Sequence, residues 1–151
     1  MPRLRQNIVT GDWVVIAPER SKRPQDFVFA ASPKRTSKKD CPFCLEAKDA
    51  YRFSIKEVET DNVYVIPNKY PAFVLEDEVT QKEGDYYPSY KSLGGHEVII
   101  LKDHDKELGD LKRGVLEEYY YTYQNRINHY RNNSTIEYAM FIHNYGPEAA
   151  A

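Results

Sequence analysis

Gly94-Gly95-His96-Glu97-Val98-Ile99-Ile100-Leu101 is the stretch on which the reading of the fold turns. The two glycines break whatever precedes them, and residues 96–101 then form the clearest strand pattern in the chain, β-branched and apolar. Residues 102–105 are a short polar connector. Beyond them Leu108, Leu111, Val115, Tyr119, Thr122, Arg126 and Tyr130 recur at intervals of three and four, the period of one face of a long helix, with mixed charge on the other face. Residues 136–142 then read as a last strand. Strand, long helix and strand, preceded by further antiparallel-looking strands, is an α+β order.

Upstream of that core the chain punctuates itself. Thr10-Gly11-Asp12 is a turn signal before Trp13-Val14-Val15-Ile16, so residues 7–17 read as a hairpin or a turn feeding a strand. Residues 18–24, bounded by prolines, read as a charged loop, and residues 30–40 as a Ser/Lys/Arg-rich connector. Residues 62–66 alternate and form a strand ending at Pro67. Asn68-Lys69-Tyr70-Pro71 is a loop, residues 72–75 resume an apolar run, and residues 81–90 are polar and irregular. No internal repeat is visible.

Composition bounds the function. The 151 residues suffice for one domain with a real core, and 41% hydrophobic with 29% charged residues describes a globular chain. A net charge of -2 argues against a protein built on a nucleic-acid backbone. No stretch approaches the length of a bilayer-crossing segment, and the basic start, residues 1–6, is not followed by a signal core. These features predict a cytoplasmic protein with no membrane and no nucleic-acid partner. Thirteen Tyr against six Phe and one Trp suit half-buried surfaces where rings pack and hydroxyls stay wet.

The two cysteines stand together as Cys41-Pro42-Phe43-Cys44. This spacing lets two thiolates grip one zinc ion from a tight turn, half of a tetrahedral site. Of the four histidines, His104 lies at a strand–helix corner and is well placed to face that metal. His96, His129 and His143 read as structural or surface side chains. A Cys-x-x-Cys redox pair and two cysteines with no special role are the other readings. Such a redox site should follow the first strand of a βαβ unit, whereas a basic loop precedes this one. Arg20, Lys22 and Arg23 put three cations in the proline-bounded loop, where Arg20 and Arg23 could present guanidinium forks to phosphate oxygens, or simply be solvated. Asn68 and Tyr70 in one loop, and Asn144 in another, suit a ribose, a base or a phosphate, but they also suit turn chemistry.

Taken together, these segments resemble the galactose-1-phosphate uridylyltransferases. The resemblance runs through Asn7-Ile8-Val9-Thr10-Gly11-Asp12-Trp13-Val14-Val15-Ile16-Ala17-Pro18-Glu19-Arg20-Ser21-Lys22-Arg23-Pro24, the Cys-Pro-Phe-Cys run, Val65 to Phe73, Gly95 to Ile100, and Phe141 to Ala149. It implies a histidine-triad-like domain spanning residues 1–151: an antiparallel half-barrel sheet with one long packed helix, two such halves making a subunit, and the subunit a homodimer. It implies transfer of UMP between a UDP-hexose and a hexose 1-phosphate through a nucleotidyl-histidine. The partners are then a nucleotide sugar and a sugar phosphate. It implies zinc held by Cys41, Cys44, His104 and a fourth histidine, with Arg20, Arg23, Asn68 and Asn144 lining the nucleotide diphosphate; Tyr70, whose ring can stack on a base, is a further substrate-binding candidate from its loop. The family continues its last motif into His-x-His-x-Gln. This chain instead ends Glu148-Ala149-Ala150-Ala151, so the domain is expected to be incomplete at its C-terminal end and, lacking the catalytic histidine, inactive alone. Lys69 also departs from the acid that some relatives carry. The alternatives are an ADP-sugar or dinucleoside polyphosphate phosphorylase or adenylyltransferase of the same superfamily, a non-catalytic zinc-stabilised nucleotide-binding module, and a glutaredoxin-like redox protein.

Overall fold

The computed structural model describes residues 1–22, 37–44, 51–75 and 88–145. The chain opens with strand β1 (Arg3–Gln6), which turns back into β2 (Trp13–Ile16) in antiparallel register, Arg3 opposite Ile16 and Gln6 opposite Trp13. The turn is built by Asn7. Its Oδ1 accepts the Val9 N–H at 2.9 Å, and its backbone carbonyl accepts the Gly11 N–H at 2.8 Å. Gly11 has φ 79°, a left-handed conformation that a side chain would strain. The hairpin expected from Thr10-Gly11-Asp12 is therefore present.

On the other side of β1 lies β4 (Ser89–Lys91), also antiparallel, Arg3 opposite Lys91. Residues 89–90 were expected to be irregular. They pair because β1 offers them a ladder, and a polar sequence can fill strand positions when the partner backbone supplies the hydrogen bonds. Residues 81–87 of that expectation lie outside the described residues.

The core is the second ladder. β3 (Val63–Pro67) and β5 (Glu97–Leu101) run antiparallel through five residue pairs, from Val63 opposite Leu101 to Pro67 opposite Glu97. Val63, Tyr64 and Val65 are completely buried and Ile66 nearly so. A run buried on both faces reads as continuous apolar sequence, which is why Val63-Tyr64-Val65-Ile66 signals a strand so clearly. Helix α1 (Arg113–Arg131) packs across this pair through Tyr119, Thr122 and Arg126, three of the seven positions predicted from its period.

Two polar clamps fix where the helix lies. Near its start Glu118 accepts from Asn62, at 3.0 Å from the side-chain amide and 3.3 Å from the backbone. Near its end Arg126 donates both Nε and Nη2 to the Glu97 carboxylate, at 2.8 and 2.7 Å. Tyr130 donates to the same carboxylate at 2.7 Å, and its ring rests on the bare backbone of Gly95. A Cβ there would come within 2.1 Å of that ring, so the glycine admits a close approach rather than merely ending a segment.

Several expectations are corrected. The helix starts at Arg113 rather than at the first periodic leucine, because Leu108–Asp110 is a separate 3-10 turn closed by a reciprocal Glu107–Asp110 capping box. Pro18–Lys22 is a 3-10 turn rather than a plain loop, with proline at its favoured first position. Residues 136–142 do not form a strand. A strand needs a partner backbone, and among the described residues none pairs with this segment; Phe141 instead lays its ring against Tyr123, 4.1 Å between centroids. The class is α+β, as expected. The strands described form two small antiparallel sheets, in orders β2-β1-β4 and β3-β5. No helix among the described residues is long and apolar enough to cross a membrane.

Candidate functional site

Two clusters flank the β3–β5 ladder. The first joins the segment before β3 to the connector after β5. Cys41, Cys44 and His104 come together with all their ligand atoms within 4.8 Å of one another, and Cys44 Sγ lies 3.1 Å from His104 Nδ1. The cysteine turn is prepared by Ser37, whose carbonyl accepts the N–H groups of Asp40 and Cys41 at 3.0 and 2.9 Å. Cys44 N–H then returns to the Cys41 carbonyl at 3.3 Å. The turn is tied to the core by buried Tyr64, whose hydroxyl donates to the Phe43 carbonyl between the two cysteines. Burial first, and then the two cysteines, push the Tyr64 hydroxyl well above its ordinary pKa, which keeps it a donor. Lys38 and Asp105, flanking the two segments, pair at 2.6 Å; both are largely exposed, so the pair adds little energy. Two sulfurs and one imidazole nitrogen, all half-buried, are a soft donor set suited to zinc, with one tetrahedral position left to another ligand.

The second cluster gathers at the other end of the ladder, around residues 68–72. Asn68 N–H donates to the His96 carbonyl at 2.8 Å, just past the last ladder pair. Asn68 Oδ1 accepts the Tyr70 N–H at 2.9 Å, and Arg20 Nη1 donates to the Tyr70 carbonyl at 3.0 Å. Ala72 N–H donates to His96 Nδ1 at 2.9 Å, and His96 Nε2 stands 3.3 Å from Asn68 Nδ2. Lys69 Nζ lies 5.6 Å from the Tyr70 ring centre, and Lys22 turns away to Glu19 at 2.5 Å. Of the residues expected to line a ligand, Arg20, Asn68 and Tyr70 thus meet. Arg23 lies outside the described residues. Asn144 is exposed after the helix, and no hydrogen bond among the described residues joins it to Arg20, Asn68 or Tyr70.

This geometry belongs to a chain whose residues 1–150 match the family described as galactose-1-phosphate uridyl transferase, N-terminal domain. The chain is a member of that family. It is similar to an ADP-glucose phosphorylase of Arabidopsis thaliana, 31% identical over 159 residues that cover 99% of this chain and 45% of that protein. It is also similar to a galactose-1-phosphate uridylyltransferase of Thermotoga maritima, 24% identical over 156 residues covering 100% of this chain and 43% of that protein. The chain therefore spans less than half the length of these relatives. No solved structure matches it.

In this galactose-1-phosphate uridyl transferase family domain, His96 is the member of the second cluster that the residue patterns did not single out. Burial, and then the nearby Arg20 charge, lower its pKa, so the ring is neutral near pH 7. The signal for it was present: the residue after Gly94-Gly95 opens a strand, and antiparallel pairing with residues 63–67 brings a strand opening beside the Asn68 loop. An open aromatic hollow lined by Tyr120, Tyr121, Tyr123 and Phe141 lies on the outer face of α1 and includes none of the candidate residues.

Proposed function

We propose that this chain is the nucleotide-binding, histidine-triad-like part of a cytoplasmic, zinc-containing nucleotidyltransferase that moves UMP between a UDP-hexose and a hexose 1-phosphate. The observation that carries the reading is the convergence of Arg20, Asn68 and Tyr70 on one loop inside a domain of the uridyl transferase family. Arg20 places a guanidinium beside amide donors, an arrangement suited to offsetting charge on phosphate oxygens. Tyr70 offers a ring for stacking, and Arg23 and Asn144 complete the proposed set. In the full protein, an imidazole would attack the α-phosphorus and expel hexose 1-phosphate. A second hexose 1-phosphate would then take the nucleotidyl group and release the imidazole.

Zinc fits Cys41, Cys44 and His104, and when bound it would supply a structural cross-link. The residues of the chain do the positioning. Tyr64 holds the cysteine turn against the core, and the Ser37 turn aims both thiols at the imidazole. A second reading, an ADP-sugar phosphorylase, draws on the similarity to the ADP-glucose phosphorylase, 31% identical over 45% of that protein.

Calorimetric titration tests the site and chooses between the readings. UDP-glucose binding more tightly than ADP-glucose supports the uridylyl reading, and the reverse supports the second. Arg20→Ala should weaken the preferred ligand by about tenfold to a hundredfold, the worth of one charged hydrogen bond. An unchanged affinity, with an unchanged melting temperature as control, would remove the loop from the site.

A further inference from the structure

The two ring nitrogens of His96 carry unequal obligations. Nδ1 lies 2.9 Å from the Ala72 backbone N–H, which can only donate, so Nδ1 is the lone-pair nitrogen. The neutral ring then carries its proton on Nε2, and Nε2 faces Asn68 Nδ2 at 3.3 Å. The other end of the Asn68 amide is committed, because Oδ1 accepts the Tyr70 N–H at 2.9 Å. Two donors therefore confront one another. Turning the amide over would answer Nε2–H but would set the NH₂ group against the Tyr70 N–H, so either orientation leaves this corner one acceptor short. No other described residue supplies that acceptor. The Arg20 guanidinium, anchored on the Tyr70 carbonyl at 3.0 Å, adds positive charge to the same corner.

We infer that His96 is a ligand-binding residue, its Nε2–H and the Asn68 amide forming a two-donor cleft for one anionic phosphoryl oxygen beside Arg20. This deepens the nucleotide-binding reading and rests on it. The Ala72 N–H fixes both the tautomer and the plane of the ring, so the cleft is prepared before a ligand arrives. A phosphoryl oxygen suits it better than a neutral hydroxyl, since it accepts from both donors and needs no proton of its own placed.

The test uses nitrogen-15 spectroscopy of the imidazole, with inorganic pyrophosphate, UDP and uridine as probes. The unliganded protein should show His96 protonated on Nε2, and pyrophosphate should shift that N–H. A ring protonated on Nδ1 overturns the inference whatever binds. A shift with uridine but none with pyrophosphate also overturns it, assigning the corner to a ribose hydroxyl.

Two variants separate binding from support. His96→Asn keeps an acceptor for the Ala72 N–H and loses the distal donor, so pyrophosphate affinity should fall about tenfold to a hundredfold. His96→Gln returns a donor near the Nε2 position and should recover part of the loss. Asparagine binding as tightly as the parent, or glutamine no better than asparagine, overturns the role of His96 while leaving the nucleotide site intact. Failure of the parent protein to bind either pyrophosphate or UDP removes that site, and with it both readings.

Discussion

Replacing Arg126 by methionine should unfasten the helix from the second sheet. The Arg126 side chain is 9% exposed and that of Glu97 12%, and they meet through two parallel N–H···O bonds of 2.8 and 2.7 Å. Hydrogen bonding to Glu97 is the leading reason that Arg126 is held above its ordinary pKa, ahead of the opposing effect of burial. Methionine fills much of the same volume but leaves the carboxylate, among the described residues, with the Tyr130 hydroxyl alone, 2.7 Å away. Removing one partner of a buried ion pair costs about 3–5 kcal/mol, because the other charge stays desolvated. For a chain of this size that corresponds to a fall in melting temperature of roughly 6–20 °C. Urea unfolding followed by circular dichroism measures it directly. The double variant Arg126→Met/Glu97→Leu removes both charges and should be more stable than Arg126→Met alone, since apolar replacement of a whole buried pair is often close to neutral. A single-variant cost under about 1 kcal/mol, or a double variant no better than the single, would refute the reasoning.

Cys44→Ser should strip zinc from the protein and lower its melting temperature, because metal binding is coupled to folding; elemental analysis of freshly purified parent and variant decides this, and a parent without zinc ends the metal reading. Glu59 should make the fold acid-sensitive. Burial alone would raise its pKa, but hydrogen bonds from Lys102, Tyr51 and Lys56 outweigh burial and bring it down to about 2. The depressed value means that this stability is complete above the ordinary carboxylate range and is lost as pH falls from about 4.5 toward 2. The loss should approach about 2 kcal/mol, reduced from the full shift by residual solvent screening, and Glu59→Gln should flatten that part of the pH profile of unfolding.

What the sequence revealed divides along a physical line. Signals that act locally were legible. Gly11 marks a turn because one residue needs a left-handed backbone, β3 announces itself by an unbroken apolar run, and α1 by its period. The cysteine spacing announces a soft-donor turn, and His104, at its strand–helix corner, does come to lie beside it. Signals that depend on a partner were not legible. Residues 136–142 have strand composition but no paired backbone among the described residues, and Ser89-Tyr90-Lys91 has little strand composition but pairs with β1. His96 was set aside for the same reason. Its local context is a strand opening, and its part in the loop cluster depends on Asn68 and Ala72, more than twenty residues earlier in the chain. The placement of Arg20 beside Tyr70, fifty residues apart, equally could not be read from either loop alone.

The β3–β5 ladder also acts as a ruler. Its last pair, Pro67 opposite Glu97, delivers Asn68 to His96, and its first, Val63 opposite Leu101, sets where the chain departs toward His104. Strand side chains alternate between faces, so a slip of one residue would turn every one of them over. A slip of β5 would take Glu97 from Arg126 and His96 from Ala72 together, and a slip of β3 would take Tyr64 from the cysteine turn. Most single side-chain changes in these strands disturb one contact, whereas an inserted or deleted residue in β5 disturbs the loop cluster and the helix clamp together. Chain length within residues 63–67 and 97–101 is thus held more tightly than the identity of most residues there.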